Sequence, residues 1–192
     1  MKAIAVLYAT REGQTRRIAE HIGATLRARE YRVDVLDVGA VPAADVDLTR
    51  YAGAVVAASV HIGKHEKEMV QFVKAHRAEL EHLPTAFLSV SLSEAGVEDA
   101  SASPERRQRS AAAVSTTTGR FLEETGWNAT HVHPVAGALL YRQYGLIVRV
   151  VMRFIARLAG ATTDTSRDHE YTDWQALDRF ADELAADIER KN

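Results

Sequence analysis

Five short apolar runs separated by segments of helical period constrain this chain more than any other feature. The runs cover residues 2–9, 32–37, 51–60, 85–91 and 130–139 and are too short for helices. Between them, residues 14–29 place Ile18, Ile22 and Leu26 at a four-residue spacing, and residues 66–79 carry Met69, Phe72, Val73 and His76. This alternation is the signature of βαβ units whose parallel sheet is covered on both faces. The third run is so rich in Ala and Val that it belongs at the sheet centre. Pro84 introduces the fourth, where a missing N–H suits a strand start. A polar stretch over 93–103 breaks the pattern, and Ser103-Pro104-Glu105 then reads as an N-cap with proline at the first helical position. That helix runs to about residue 125, Gly126 closes it, and a final helix spans 173–190. The expected fold is α/β: a doubly wound five-stranded parallel sheet of order 2-1-3-4-5 with right-handed crossovers. An extra helical segment at 141–168 follows strand 5, and with no repeat or linker, residues 1–192 read as a single domain.

The chain has no cysteine, which excludes disulfides, thiolate chemistry and cysteine-ligated metal or iron–sulfur sites. A reducing compartment is allowed and the cytoplasm is the expected location. Twenty-four Lys+Arg against 26 Asp+Glu leave a formal charge of −2, so no nucleic-acid partner is expected. The first apolar run is too short for a signal region and meets Arg11-Glu12 at once, and no uncharged apolar stretch is long enough for a spanning helix.

The strongest local signal is Thr10-Arg11-Glu12-Gly13-Gln14-Thr15, where the first strand gives way to the first helix. A phosphate there would meet unpaired N–H groups and the positive end of a helix dipole. Thr10 and Thr15 add hydroxyl donors, Gly13 lets the backbone approach, and Arg11, Arg16 and Arg17 add positive charge. The competing reading is an ordinary strand-to-helix turn in which Gly13 serves only the bend. Neither a Walker pattern nor Gly-x-Gly-x-x-Gly is present, which favours a mononucleotide.

Thr-x-x-Gly-x-Thr after a first strand resembles the flavodoxin phosphate loop. Ser59-Val60-His61-Ile62-Gly63 and Ser89-Val90-Ser91-Leu92-Ser93 resemble the flavin loops that follow the third and fourth strands of that fold. Within the superfamily the chain is most similar to the menaquinone-dependent protoporphyrinogen oxidases, almost end to end. The matching pieces run from Tyr8 to Arg16 and from Val135 to Leu139, and include Thr163-Asp164-Thr165 and Tyr171-Thr172-Asp173-Trp174. The resemblance implies a flavodoxin-like fold and an FMN cofactor, held by Thr10, Arg11, Glu12, Gly13, Gln14, Thr15, His61, Ile62, Gly63, Ser91, Leu92 and Ser93. It also implies a porphyrinogen substrate, a membrane quinone as acceptor and a place in haem synthesis. Ile62 stands where this group usually has an aromatic residue, and the loop from Glu94 to Glu105 is longer and more acidic than expected. A flavodoxin-type electron carrier docking on redox partner proteins is the alternative function, and an interaction module that has lost its flavin is a third. The carriers usually show a strongly acidic face, whereas this chain is nearly neutral.

Residues 146–158 place Arg149, Arg153 and Arg157 at i, i+4 and i+8 in an otherwise apolar helical stretch. Two readings stand: a helix packed on the body or on a second copy of the chain, with its arginines solvated, or one lying peripherally on the inner face of the membrane beside anionic headgroups. Arg142, with Tyr141 or Tyr144, borders a substrate cleft in a further reading. His61 and His65 flank Gly63, where each is either a proton relay near neutral pH or a solvated loop residue. His131 and His133 share one face of a strand with no third ligand evident, so no metal is expected. Trp127, Trp174 and Phe121 read as packing residues.

Overall fold

The computed structural model describes residues 3–139 and 169–191. β1 (Ala3–Ala9) is buried on both faces: Ile4, Val6 and Tyr8 point into one apolar cluster, and Ala5, Leu7 and Ala9 into the other. That near-continuous burial is what a central parallel strand requires. β2 (Arg32–Asp37), β3 (Gly53–His61), β5 (Thr85–Ser91) and β6 (His131–Ala136) complete a parallel sheet of order β2-β1-β3-β5-β6. This is the expected order 2-1-3-4-5. β2 lies at one edge and alternates exposed with buried residues at its start. β6 lies at the other edge, where the proline at 134 is tolerated.

α1 (Gln14–Arg27) covers one face together with the last described helix, α6 (Trp174–Lys191). Ile18, Ile22 and Leu26 of α1 meet Leu177, Phe180, Leu184 and Ile188 of α6 over Ile4, Val6 and Val55. The other face is covered by α2 (Lys67–Ala75), α3 (Arg77–Glu81) and α5 (Pro104–Thr125). Met69, Phe72, Val73, Leu80 and Phe121 pack there with Trp127. Trp127 and Phe121 are buried and Trp174 is partly buried against the core, as expected of packing residues. Ser103 caps α5 by accepting from the Arg106 N–H, Pro104 follows it, and Gly126 ends the helix at φ 65.

Four details differ from the sequence reading. β3 runs on to His61 and turns back through β4 (Lys64–His65), a two-residue strand too short to leave a periodic signal. The expected single helix over 66–79 is broken at His76, whose ring bonds to the Ala43 carbonyl and to Glu79. The polar stretch after β5 contains a helix, α4 (Leu92–Glu98), which Ser91 caps by accepting from the Glu94 N–H. A serine followed three residues later by a glutamate is the capping-box pattern, and the polar composition masks it. The fifth strand ends at Ala136, not at 139. After Gly137 the chain leaves the sheet, and β7 (Ala138–Leu139) pairs antiparallel with β8 (His169–Glu170). The expected helical segment at 141–168, with Tyr141, Arg142, Tyr144, Arg149, Arg153, Arg157 and Thr163-Asp164-Thr165, lies outside the described residues. Among the described residues no helix is long and apolar enough to cross a membrane.

Candidate functional site

The carboxyl ends of β1, β3 and β5 open into one cleft, walled also by α5 and by the chain just after β6. This is the position at which doubly wound sheets bind ligands, where the strand order reverses beside β1.

The first wall is the turn into α1. Gly13 occupies the N-cap position at φ 90, a left-handed conformation that a β-branched residue adopts only under strain. Its N–H donates to Thr10 Oγ1 at 3.0 Å, which folds the loop back on itself and leaves the Thr10 hydroxyl proton available. No side chain caps the helix, so the first N–H groups of α1 keep their donors. The Thr15 hydroxyl is buried, lines the cleft and has no hydrogen-bond partner among the described residues. An uncapped helix start beside an orphaned buried hydroxyl fits the phosphate of the FMN that the resemblance implies. Each of the three nearby arginines has an acidic partner. Arg11 pairs with Glu66 at 3.1 Å, Arg16 with Glu20 at 2.7 Å and Arg17 with Glu170 at 3.1 Å.

The second wall is the β3–β4 hairpin. His61 pairs with Lys64 across a two-residue turn, with Ile62 at φ 48 and Gly63 at φ 70. Positive φ at both central residues matches the twist of a tight hairpin, yet a β-branched residue there is strained by about 1 to 3 kcal/mol. Ile62 is 75% exposed, the most exposed large apolar side chain among the described residues. Arg120 of α5 donates to the Gly63 carbonyl at 2.9 Å and pins the turn. His61 lines the cleft. His65 does not reach it, and its expected titration near neutral pH is corrected: burial pulls its pKa down to about 4. The cause is its place inside the core, against Phe87 and Phe121.

The third wall follows β5. Ser91, Leu92 and Ser93 line the cleft where α4 begins, joined by Ser89 one step back on β5. The Ser91 carbonyl accepts from the Gly137 N–H at 3.0 Å, which brings the chain after β6 to the cleft. Glu94 and Glu98 of α4 have carboxyls pushed above the ordinary range, by burial first and then by a neighbouring carboxylate, Glu98 for the former and Asp173 for the latter.

Among the sequence-predicted site residues, Thr10, Arg11, Glu12, Gln14, Thr15, His61, Ile62, Gly63, Ser91, Leu92 and Ser93 come together at the cleft, with Gly13 in the same loop. Arg142, Arg149, Arg153 and Arg157 fall outside the described residues. Sequence reasoning missed Glu66 and three residues of α5, Ala113, Val114 and Thr117. The only signal for the last three is their helical spacing of small side chains within Ala111-Ala112-Ala113-Val114 and beyond. On β6, His131 bonds to Asp187 and His133 packs on Phe180.

Comparison with known proteins agrees with this geometry. Residues 5–166 match the family model described as Flavodoxin domain. The chain is 31% identical over 180 residues to the protoporphyrinogen IX dehydrogenase (quinone) of Escherichia coli (strain K12), covering 94% of this chain and 93% of that one. Among solved structures, the rubredoxin oxygen:oxidoreductase of Desulfovibrio gigas has a TM-score of 0.56 at 11% identity; all of this chain is covered, and it spans 37% of that protein. The flavodoxin of Streptococcus pneumonia TIGR4 has a TM-score of 0.53 at 18% identity, over 96% of this chain and 99% of that one. At those identities the likeness to solved structures concerns the fold alone.

Proposed function

The chain belongs to the flavodoxin domain family, and from that premise we propose that its cleft holds FMN and that it acts as an FMN-dependent protoporphyrinogen IX dehydrogenase (quinone) in haem synthesis. The observation that carries this reading is the similarity to the Escherichia coli enzyme over nearly the whole of both chains. The uncapped helix start with its orphaned Thr15 hydroxyl supports the cofactor half of it.

FMN supplies, when bound, the electron-accepting chemistry between porphyrinogen and quinone. The residues of this chain bind, orient and manage protons. Thr10, Thr15 and the first N–H groups of α1 grip the phosphate, with Arg11, Glu12, Gly13 and Gln14 shaping the loop. Ile62 and Gly63, with Ser91, Leu92 and Ser93, which line the same cleft, would hold the ring system. His61, which lines the cleft, would take up a proton from substrate. The spacing of Arg149, Arg153 and Arg157 supports peripheral attachment to anionic lipid, near the quinone.

An anaerobic assay of FMN-loaded protein with protoporphyrinogen IX and a menaquinone analogue tests the reading, following porphyrin fluorescence and the flavin spectrum together. Flavin bleaching with quinone-dependent porphyrin formation is the expected result. A bound flavin that porphyrinogen leaves oxidised would overturn the enzyme reading and point to an electron carrier. Failure to take up FMN would overturn the cofactor.

A further inference from the structure

β5 turns Phe87, Ser89 and Ser91 to one face, the one covered by α5, because alternate residues of a strand share a face. Ser89 is almost fully buried and yet forms part of the cleft wall. Directly behind it stands His65, whose Nε2 lies 2.9 Å from Ser89 Oγ. The ring is caged, edge-on to Phe121 at 4.9 Å and tilted against Phe87 at 5.2 Å. A polar ring in an aromatic cage is costly unless it is hydrogen-bonded, and the partner found for it in this cage is the Ser89 hydroxyl.

Burial keeps the ring neutral at ordinary pH, and a neutral imidazole offers one N–H and one lone pair. With Nε2 protonated, the ring donates to Ser89 Oγ and the hydroxyl proton points elsewhere; with Nε2 bare, the hydroxyl donates to the ring and its lone pairs face outward. Either tautomer takes up one hydrogen-bonding position of the hydroxyl and leaves the rest of its polar capacity for other partners.

The sheet register says what that capacity meets. Ala9 pairs with Ala58, and Ala58 with Ser89, so Ser89 lies two strands from the phosphate loop. Two strand spacings amount to roughly 10 Å. A ligand gripped at Thr10–Thr15 and reaching along the cleft would bring its far end near Ser89, which lines the same cleft.

We propose that His65 is a positioning residue, whose ring orients the Ser89 hydroxyl toward the flavin ring and thereby tunes how tightly FMN is held and how easily it is reduced. The inference rests on the FMN reading of the cleft. A double-substitution cycle with Ser89→Ala and His65→Phe tests it, reading FMN dissociation constant, flavin absorption spectrum and midpoint potential. Ser89→Ala should weaken FMN binding about tenfold, the factor expected for one net hydrogen bond, and shift the spectrum and potential. His65→Phe should reproduce those shifts, and should add nothing in the Ser89→Ala background. Wild-type flavin properties in His65→Phe, or equal shifts in both backgrounds, would overturn the proposal.

Should His65→Phe fail to fold, nitrogen-15 resonances of the His65 ring serve instead. They should move on FMN addition to the native protein and stay put in Ser89→Ala; unmoved resonances in the native protein would overturn the proposal. Native protein that takes up no FMN would overturn the cofactor reading with it, whereas FMN uptake that is blind to His65 overturns this inference alone.

Discussion

Thr15 holds a hydroxyl out of water with no partner among the described residues, an arrangement that costs the folded protein about 1 to 3 kcal/mol. Valine has the same shape and no such penalty. Thr15→Val should therefore raise the stability of the FMN-free protein, or leave it unchanged, while weakening FMN binding at least about tenfold. Thermal melting and flavin-fluorescence titration on the same sample check the two opposite signs; a variant that melts lower would make the hydroxyl a structural one. His65 makes a second prediction at this scale. Its folded pKa of about 4 lies below the ordinary 6.5, so the stability tied to its neutral form is present above 6.5 and is lost as pH falls toward 4. The total is on the order of 3 kcal/mol. Urea unfolding at about pH 7 and about pH 4.5 should show the native protein losing more stability than His65→Phe over that interval. Equal losses would mean that the ring is protonated in the folded state. Much of the phosphate loop is legible in the sequence, since Thr10, Gly13 and Thr15 stand next to one another at a strand-to-helix junction. Glu66 and the buried setting of His65 are not, because what defines them is a partner elsewhere: Arg11 sits 55 residues from Glu66, and Ser89 sits 24 from His65.

At the scale of the element, the β3–β4 hairpin shows why short pieces escape pattern reading. Two-residue hairpin turns announce themselves by Asn-Gly or Asp-Gly, and here the pair is Ile62-Gly63, with Ile62 held at φ 48 against its own side chain. β4 has two residues, too few for alternation. The same holds for α4, whose seven residues read as a polar loop until the Ser91 cap is seen. The long elements were legible because repetition reports burial: α5 and α6 lie within a residue or so of the expected spans. An exposed, strained isoleucine on the cleft rim is kept against local preference, and the proposed reason is contact with the ligand. Ile62→Asn tests it, since asparagine tolerates positive φ better. The variant should gain about 1 kcal/mol of stability and lose FMN affinity. Higher melting with undiminished affinity would remove Ile62 from the ligand site.

For the whole molecule, the strand order follows from the alternation of runs, but it does not say how the late part of the chain comes home. β6 is an edge strand while α1 springs from β1, three strands inward, and the described residues 170–172 are tied to both Ala136 and the start of α1. They are fastened there by Gln14. Its Nε2 donates to Glu170 at 2.8 Å and to the Thr172 hydroxyl at 2.9 Å, over a separation of 158 residues in the latter case. Thr172 in turn donates to the Ala136 carbonyl at 2.7 Å, and Arg17 reaches both Gln14 and Glu170. One buried threonine thus ties the end of β6 to the first residue of α1, the helix whose start forms the phosphate loop. Thr172→Val removes both bonds and strands a buried carbonyl, a loss of roughly 2 kcal/mol, or roughly 4 to 8 °C in melting temperature for a chain of this size. Because the same bond positions Gln14, FMN binding should weaken in step, so at a given FMN concentration the variant should be stabilised less than the native protein, for which ligand at 100 times its dissociation constant adds about 2.7 kcal/mol. Melting curves of native and Thr172→Val protein across an FMN series measure both effects. If the two proteins gain equally at every FMN concentration, the late segment and the phosphate loop are joined only by contact and are not coupled in binding.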